Sequence, residues 1–119
     1  GFIYIVDRMK DMIVSGGENV FSAEVESAIS THPDVAGVAV IGIPSEQWGE
    51  SVHAIIIPKP GTTPDEASII AHCKAQIAGY KCPRSITLRT DPFPLSGAGK
   101  VLKRDLRAPY WEGRERAVN

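Results

Sequence analysis

"VAGVAVIGI", residues 35–43, decides the fold. The run holds no charge and no polar side chain. Its Val and Ile residues favour extended backbone. Apolar and polar positions do not alternate, so the stretch reads as a strand buried on both faces. Toward the C-terminus, Pro44–Gly49 reads as a loop and Ser51–Ile57 as the next strand. "PKPGTTP" at 58–64 is a turn region. At Thr63-Pro64-Asp65-Glu66 the sequence predicts a helix start, with Thr63 as cap, Pro64 at the first helical position and Glu66 closing a capping box. Ile70, Cys73 and Ile77 then give the spacing of a buried stripe, with Lys74 at its edge. Gly79 ends that helix. Ser85–Thr90 is the last strand, followed by a glycine loop and a short basic helix near Leu102–Arg107 that Pro109 ends.

Toward the N-terminus, "HPD" at 32–34 breaks a helix over Ala23–Ser30 that Ser22 caps. Val25, Ala28 and Ile29 share one face of it, and Glu24 and Glu26 lie near its positive end. "SGGEN" at 15–19 is a turn, since paired glycines accept positive φ. Residues 2–6 and Met12–Val14 read as paired short strands joined by the charged stretch 7–11. The order β-β-α-β-β-α-β-loop-α lacks strict βαβ alternation. It predicts an α+β class: one domain, residues 1–119, with a small mixed β-sheet packed with helices.

Composition narrows the partners. The 119 residues are 43% hydrophobic and 23% charged, the balance of a soluble globular domain. A net charge of −1 speaks against bulk electrostatic binding of nucleic acid or an anionic membrane. No apolar run approaches the length of a transmembrane helix. Cys73 and Cys82 fit no common zinc spacing and read as reduced thiols in a cytoplasmic protein. No metal site is expected. "GFIYIVDR" opens on a strand-like run with no leader or initiator Met, the pattern of a piece whose missing part lies upstream.

Three segments could carry chemistry. In "PLSGAGKVLKRDLR", 94–107, Gly97 and Gly99 would let a loop enter a narrow cleft, and Lys100 could neutralise charge on a carboxylate or phosphate. Taken alone, Lys100 also reads as a solvated lysine after a turn. In "DRMKDMIVSGGENV", 7–20, Asp7, Arg8, Lys10 and Asp11 form either a solvated connection or a phosphate-contacting pivot, and Gly16 and Gly17 could line a channel. In "GYKCPRS", 79–85, Tyr80 with Lys81 and Arg84 could stack on a base and pair a phosphate, or could simply complement a helix C-terminus. Trp48 in "QWGE" reads as a loop aromatic. His32, His53 and His72 show no catalytic or metal spacing and read as solvated or structural.

Together these segments resemble the AMP-forming acyl-CoA synthetases and ligases, a family that shares its fold with luciferases and peptide-synthetase adenylation domains. "IVDRMKDMIVSGGENVFSAEVE" is similar to the family's hinge motif, "PLSGAGKVLKRDLR" to its terminal lysine motif, and "GIPSEQWGE" to the loop between them. The resemblance covers essentially the whole chain and implies the small, mobile C-terminal domain of such an enzyme, without its large N-terminal domain. It implies a two-step reaction of ATP, a carboxylic acid and CoA, with Mg2+ accompanying ATP mainly on the larger domain. Lys100 matches the catalytic lysine of adenylation, Arg8 a nucleotide contact and Lys10 the hinge. Gly16 and Gly17 match the loop of the thioester step, while Trp48, Tyr80, Lys81 and Arg84 fall where relatives contact CoA. Some CoA-binding members carry a cation where this chain has Cys82. "SGGEN" and the tail "YWEGRERAVN" resemble bacterial fatty- or medium-chain acyl-CoA ligases most. The alternatives are an adenylation domain for an aryl or amino acid, and a non-catalytic interaction module. Beside Lys100, the cations Lys103, Arg104 and Arg107 read as a solvated helix face.

Overall fold

The computed structural model describes residues 12–47, 49–95, 97, 99 and 101–111, with the Arg104 side chain left aside. The expected strand at 2–6, the connection at 7–11, the tail beyond 111 and the site candidates Arg8, Lys10, Trp48 and Lys100 lie outside the described residues.

The chain opens on a hairpin, β1 (Met12–Ser15) and β2 (Glu18–Phe21), paired from Met12↔Phe21 to Ser15↔Glu18. Gly16 (φ 59°) and Gly17 (φ 83°) form its two-residue turn. Positive φ at both positions matches the twist of the flanking strands, so the paired glycines fix this hairpin. The sequence reading placed a turn over 15–19 and missed β2. "ENVF" buries one side chain, Val20, and carries no alternation strong enough to announce a strand.

Helix α1 (Ser22–Ser30) follows at once. Ser22 is its first residue, not its cap. The cap position is Phe21, and no side chain caps it. Val25, Ala28 and Ile29 are buried, as their spacing requires. Strand β3 (Val35–Ser45) and strand β4 (Gly49–Pro58) then pair antiparallel over their whole lengths. Both extend further into the expected 44–49 loop than the apolar run alone suggests. Helix α2 (Glu66–Lys74) is capped by Asp65, whose Oδ1 accepts the Ser68 N–H at 2.8 Å. Thr63 is therefore not the cap, and Glu66 is freed to accept the Ile86 N–H at 3.0 Å. The buried stripe is Ile69 and Cys73, with Ile70 half-buried, and the helix ends before Gly79. A 3₁₀ turn (Gly79–Lys81) leads to strand β5 (Ser85–Leu88), which runs parallel to β4 from His53↔Ser85 to Ile56↔Leu88. Helix α3 (Lys103–Trp111) closes the described chain and carries Pro109 inside it rather than beyond its end.

The five strands form one sheet, β2-β1-β4-β3, with β5 on β4. All pairs are antiparallel except β4–β5, so the mixed sheet of an α+β domain is what forms. On one face, Ile13, Val20, Val40, Val52, Ala54 and Ile56 pack against α1 and α2. On the other, Ala39, Ile41 and Ile55 meet Leu106 of α3. Residues 39–42 are buried in succession, which is the double coverage that the unbroken apolar run implies.

Candidate functional site

The hairpin turn is exposed, and a Cβ at Gly17 would meet nothing within 4 Å. Ser15 pairs with Gly49 across to β4, so the register sets the glycine turn beside the loop that ends at Gly49. Two of the sequence candidates, the "SGG" turn and the "QWGE" loop, are thereby brought to one end of the sheet. Val14 lies exposed near the turn and Phe21 lies exposed at the hairpin's other end, opposite Met12, and the Val14 N–H donates to Glu50 Oε1 at 2.9 Å. Among the described residues, buried Ser15 Oγ has no hydrogen-bond partner. Nothing in the pattern around residue 15 marks it in the sequence.

The second cluster is the 3₁₀ turn. Tyr80 is about half exposed, and Lys81 Nζ lies 5.7 Å from its ring centroid. Lys81 is already engaged: its Nζ donates to both Glu24 carboxylate oxygens, at 3.1 and 3.2 Å. That hydrogen bond raises the Lys81 pKa above its ordinary value, against a smaller opposing effect of desolvation. The Arg84 side chain is exposed while its N–H bonds Val52 O at 2.8 Å. The expected trio therefore divides. Tyr80 and Arg84 face solvent, and Lys81 braces the turn against α1. Cys82 is buried, its Sγ 3.6 Å from Ala78 O, so it faces the core rather than a phosphate. Both cysteines are free thiols, and burial first, then the adjacent Cys82, pushes the Cys73 thiol up to about 12. A thiol so poorly ionised is a weak nucleophile.

The third segment is the lysine loop, framed on both sides of residues 96–100. Leu95 and Val101 form an antiparallel bridge, and the Leu102 N–H donates to Pro94 O at 2.8 Å. Gly97 and Gly99 are exposed. In the helix that follows, Lys103 is not part of the solvated basic face read from the sequence. Lys103 Nζ sits 2.7 Å from Glu26 Oε2 and donates to Ser22 Oγ at 2.9 Å, with its side chain 15% exposed. The sequence placed Glu26 beside the dipole of its own helix. The pairing with Lys103 depends on tertiary structure and leaves no local signature.

The histidines are structural. His53 is buried among Ser85, Thr87 and Tyr110. His32 Nδ1 accepts the Asp34 N–H, and His72 Nε2 lies 2.6 Å from Thr31 Oγ1. A cleft of about 380 Å³ between β5 and α3 is lined by Thr87, Arg89, Asp105 and Tyr110 and contains none of the sequence candidates. Among the described residues no helix is long and apolar enough to cross a membrane.

Residues 24–100 match the family described as AMP-binding enzyme C-terminal domain. The chain belongs to that family. Over 110 residues, 92% of the chain, it is 44% identical to a feruloyl-CoA synthase of an Amycolatopsis species. Over 99% of the chain it is 45% identical to a medium/long-chain-fatty-acid–CoA ligase of Mycobacterium tuberculosis. It spans about a fifth of the length of these relatives, 22% in each case. Among solved structures, a Mycobacterium tuberculosis fatty acyl CoA synthetase superposes with a TM-score of 0.80 at 44% identity, over 87% of this chain and 20% of that one. ATP-bound MatB of Rhodopseudomonas palustris gives 0.80 at 37% identity, over 86% and 20%. The AMP-binding C-terminal fold is thus shared in sequence and in backbone, with relatives that include CoA ligases.

Proposed function

We propose that this AMP-binding C-terminal domain is the mobile lid of an AMP-forming acyl-CoA ligase acting on a fatty or medium-chain acid in the cytoplasm. The single observation carrying this reading is the 44–45% identity to CoA ligases along more than nine-tenths of the chain. In the first half-reaction a carboxylate oxygen attacks the α-phosphorus of ATP. The bond to the β-phosphate oxygen breaks, and pyrophosphate leaves. Lys100 is the cation for that step, because positive charge fixed beside the reacting oxygens stabilises the negative charge that builds there. Arg8 contacts the nucleotide, and Mg2+ arrives as the counter-ion of ATP, held mainly by the larger domain. In the second half-reaction the CoA thiol loses its proton to solvent, its sulfur attacks the acyl carbon, and AMP leaves with the bonding electrons of the C–O bond. The domain rotates about Lys10 between steps and presents the Gly16–Gly17 turn, where a missing side chain leaves room for the pantetheine arm. The exposed face of Tyr80 and the cation of Arg84 suit the adenine and 3′-phosphate, with Trp48 near the same ligand. Lys81 acts there by holding the turn.

The test is Lys100→Ala in the full-length protein that carries this domain. ATP–pyrophosphate exchange with octanoate, palmitate or ferulate is expected to fall about 10²–10³-fold. Conversion of supplied acyl-AMP and CoA to thioester is expected to persist. Equal loss of both half-reactions would refute the role given to Lys100. Ferulate belongs in the panel because the identity to a feruloyl-CoA synthase favours an aryl acid as the second reading.

A further inference from the structure

We propose that Lys103 is a positioning residue for Lys100, with Glu26 as its anchor. The inference rests on the adenylation role just given to Lys100. Three observations carry it. First, the lysine loop is closed at its base by the Leu95–Val101 bridge and the Leu102 N–H to Pro94 O bond, so its exit direction is set at residues 101–103. Second, the residue at that exit is tied down from two sides. Lys103 Nζ meets Glu26 Oε2 at 2.7 Å and Ser22 Oγ at 2.9 Å, both on α1. The same Glu26 oxygen accepts the Val40 N–H at 2.8 Å. Val40 lies in β3, the last strand of the sheet order, so one carboxylate joins the loop exit, the first helix and the sheet edge.

Third, the charge is misplaced for helix stability. Lys103 is the first residue of α3, at the positive end of its dipole, where an acid would be favourable and a cation is not. Helix stability alone gives no reason for a lysine there. A reason appears when the side chain is read as a tether. Glu26 supplies the compensating charge, and with the pair largely shielded from water the attraction is screened less than at an open surface. Three residues of chain span at most about 10 Å, so the position of Lys103 limits where Lys100 can stand. Adenylation is sensitive to such a shift, since misplacing a reacting group by about 1 Å can cost about 10²-fold.

The experiment uses the full-length ligase and separates the half-reactions. Lys103→Met keeps the apolar stem and removes the charge. It is expected to lower kcat for ATP–pyrophosphate exchange about 10- to 100-fold. KM for ATP and for the acid (octanoate, palmitate or ferulate, whichever is turned over) should stay within about twofold of the parent. Thioester formation from supplied acyl-AMP should likewise stay within about twofold. Glu26→Gln should move the same quantities in the same direction, and Lys103→Arg, which keeps charge and donors, should restore most of the rate. Parental exchange in Lys103→Met, or equal loss in both half-reactions with no rescue by arginine, overturns the positioning role. Lys100→Ala run alongside separates the two readings. If it abolishes exchange while Lys103→Met does not, only the tether fails. If it leaves exchange intact, the adenylation reading fails and takes the tether with it.

Discussion

His53 shows how one residue can join three elements. It stands in β4, opposite β5, with its ring buried under α3. Nδ1 lies 2.6 Å from Ser85 Oγ, and Nε2 lies 2.8 Å from Thr87 Oγ1 and 3.3 Å from Tyr110 OH. Both ring nitrogens are satisfied without a charged partner in contact. Burial lowers its pKa below the ordinary 6.5, and the negative charge of Glu66 offsets this only in part. The folded state therefore favours neutral His53, while the unfolded chain takes up a proton near 6.5. Above that pH its contribution to stability is complete. As pH falls from 6.5 through the lower folded-state pKa, the contribution is lost. The melting temperature of the domain is expected to drop between about pH 7.5 and pH 5.5, and His53→Gln should flatten that drop. Equal pH slopes in parent and variant would show that His53 is not the titrating group.

Elements were legible where a pattern repeats and opaque where a single contact decides. The apolar run 35–43 announced β3, and the spacing of Val25, Ala28 and Ile29 announced α1. Boundaries were harder. At 63–66 three neighbours can each start a helix, and what decides is which side chain reaches the third N–H of the helix. Asp65 does so in extended backbone with ψ 164°, bonding Ser68 N–H at 2.8 Å. Pro109 reads as a helix stop because it lacks an N–H. The helix nonetheless runs two residues further, held by Trp111 Nε1 donating to Gly42 O at 2.8 Å and by Tyr110 against His53. Those contacts are tertiary and invisible in a local window. The cap assignment makes a prediction. Asp65→Ala should cost about 1 kcal/mol and lower the melting temperature by about 4 °C. Thr63→Ala should stay within about 0.5 kcal/mol of the parent. The reverse ranking in thermal melts would restore Thr63 as the cap.

At the scale of the molecule, the glycine hairpin and the segment that follows the lysine loop pack against opposite faces of one sheet. The hairpin packs through Ile13 and Val20 into the core under α1 and α2. The exit of the lysine loop packs through Val101 and Leu106 on the other face. Under the proposed function, a domain built this way turns one face and then the other toward its partner domain. The motifs were readable in sequence because each is local. The buried pairing of Glu26 with Lys103 was not, because it joins segments far apart in the chain. Gly17 lets the hairpin's part be tested apart from its stability. Gly17 (φ 83°) and Gly61 (φ 82°) share a left-handed backbone, and at both a Cβ would meet nothing within 4 Å. Alanine at either position carries the same backbone strain of about 1–2 kcal/mol and no clash within this domain. The two variants should therefore melt alike, each below the parent. In the full-length protein that carries this domain, the proposed function requires them to part. On the proposed function Gly17→Ala places a methyl group in the path of the pantetheine arm, and overpacking of about 1–3 kcal/mol there slows thioester formation about tenfold or more. ATP–pyrophosphate exchange should stay within about twofold, because the proposed adenylation step relies on Lys100 and not on the hairpin turn. Gly61→Ala should leave both half-reactions within about twofold of the parent. If Gly17→Ala and Gly61→Ala give the same rates in both half-reactions, the exposed glycine turn serves the hairpin's geometry alone and the thioester channel must be sought elsewhere.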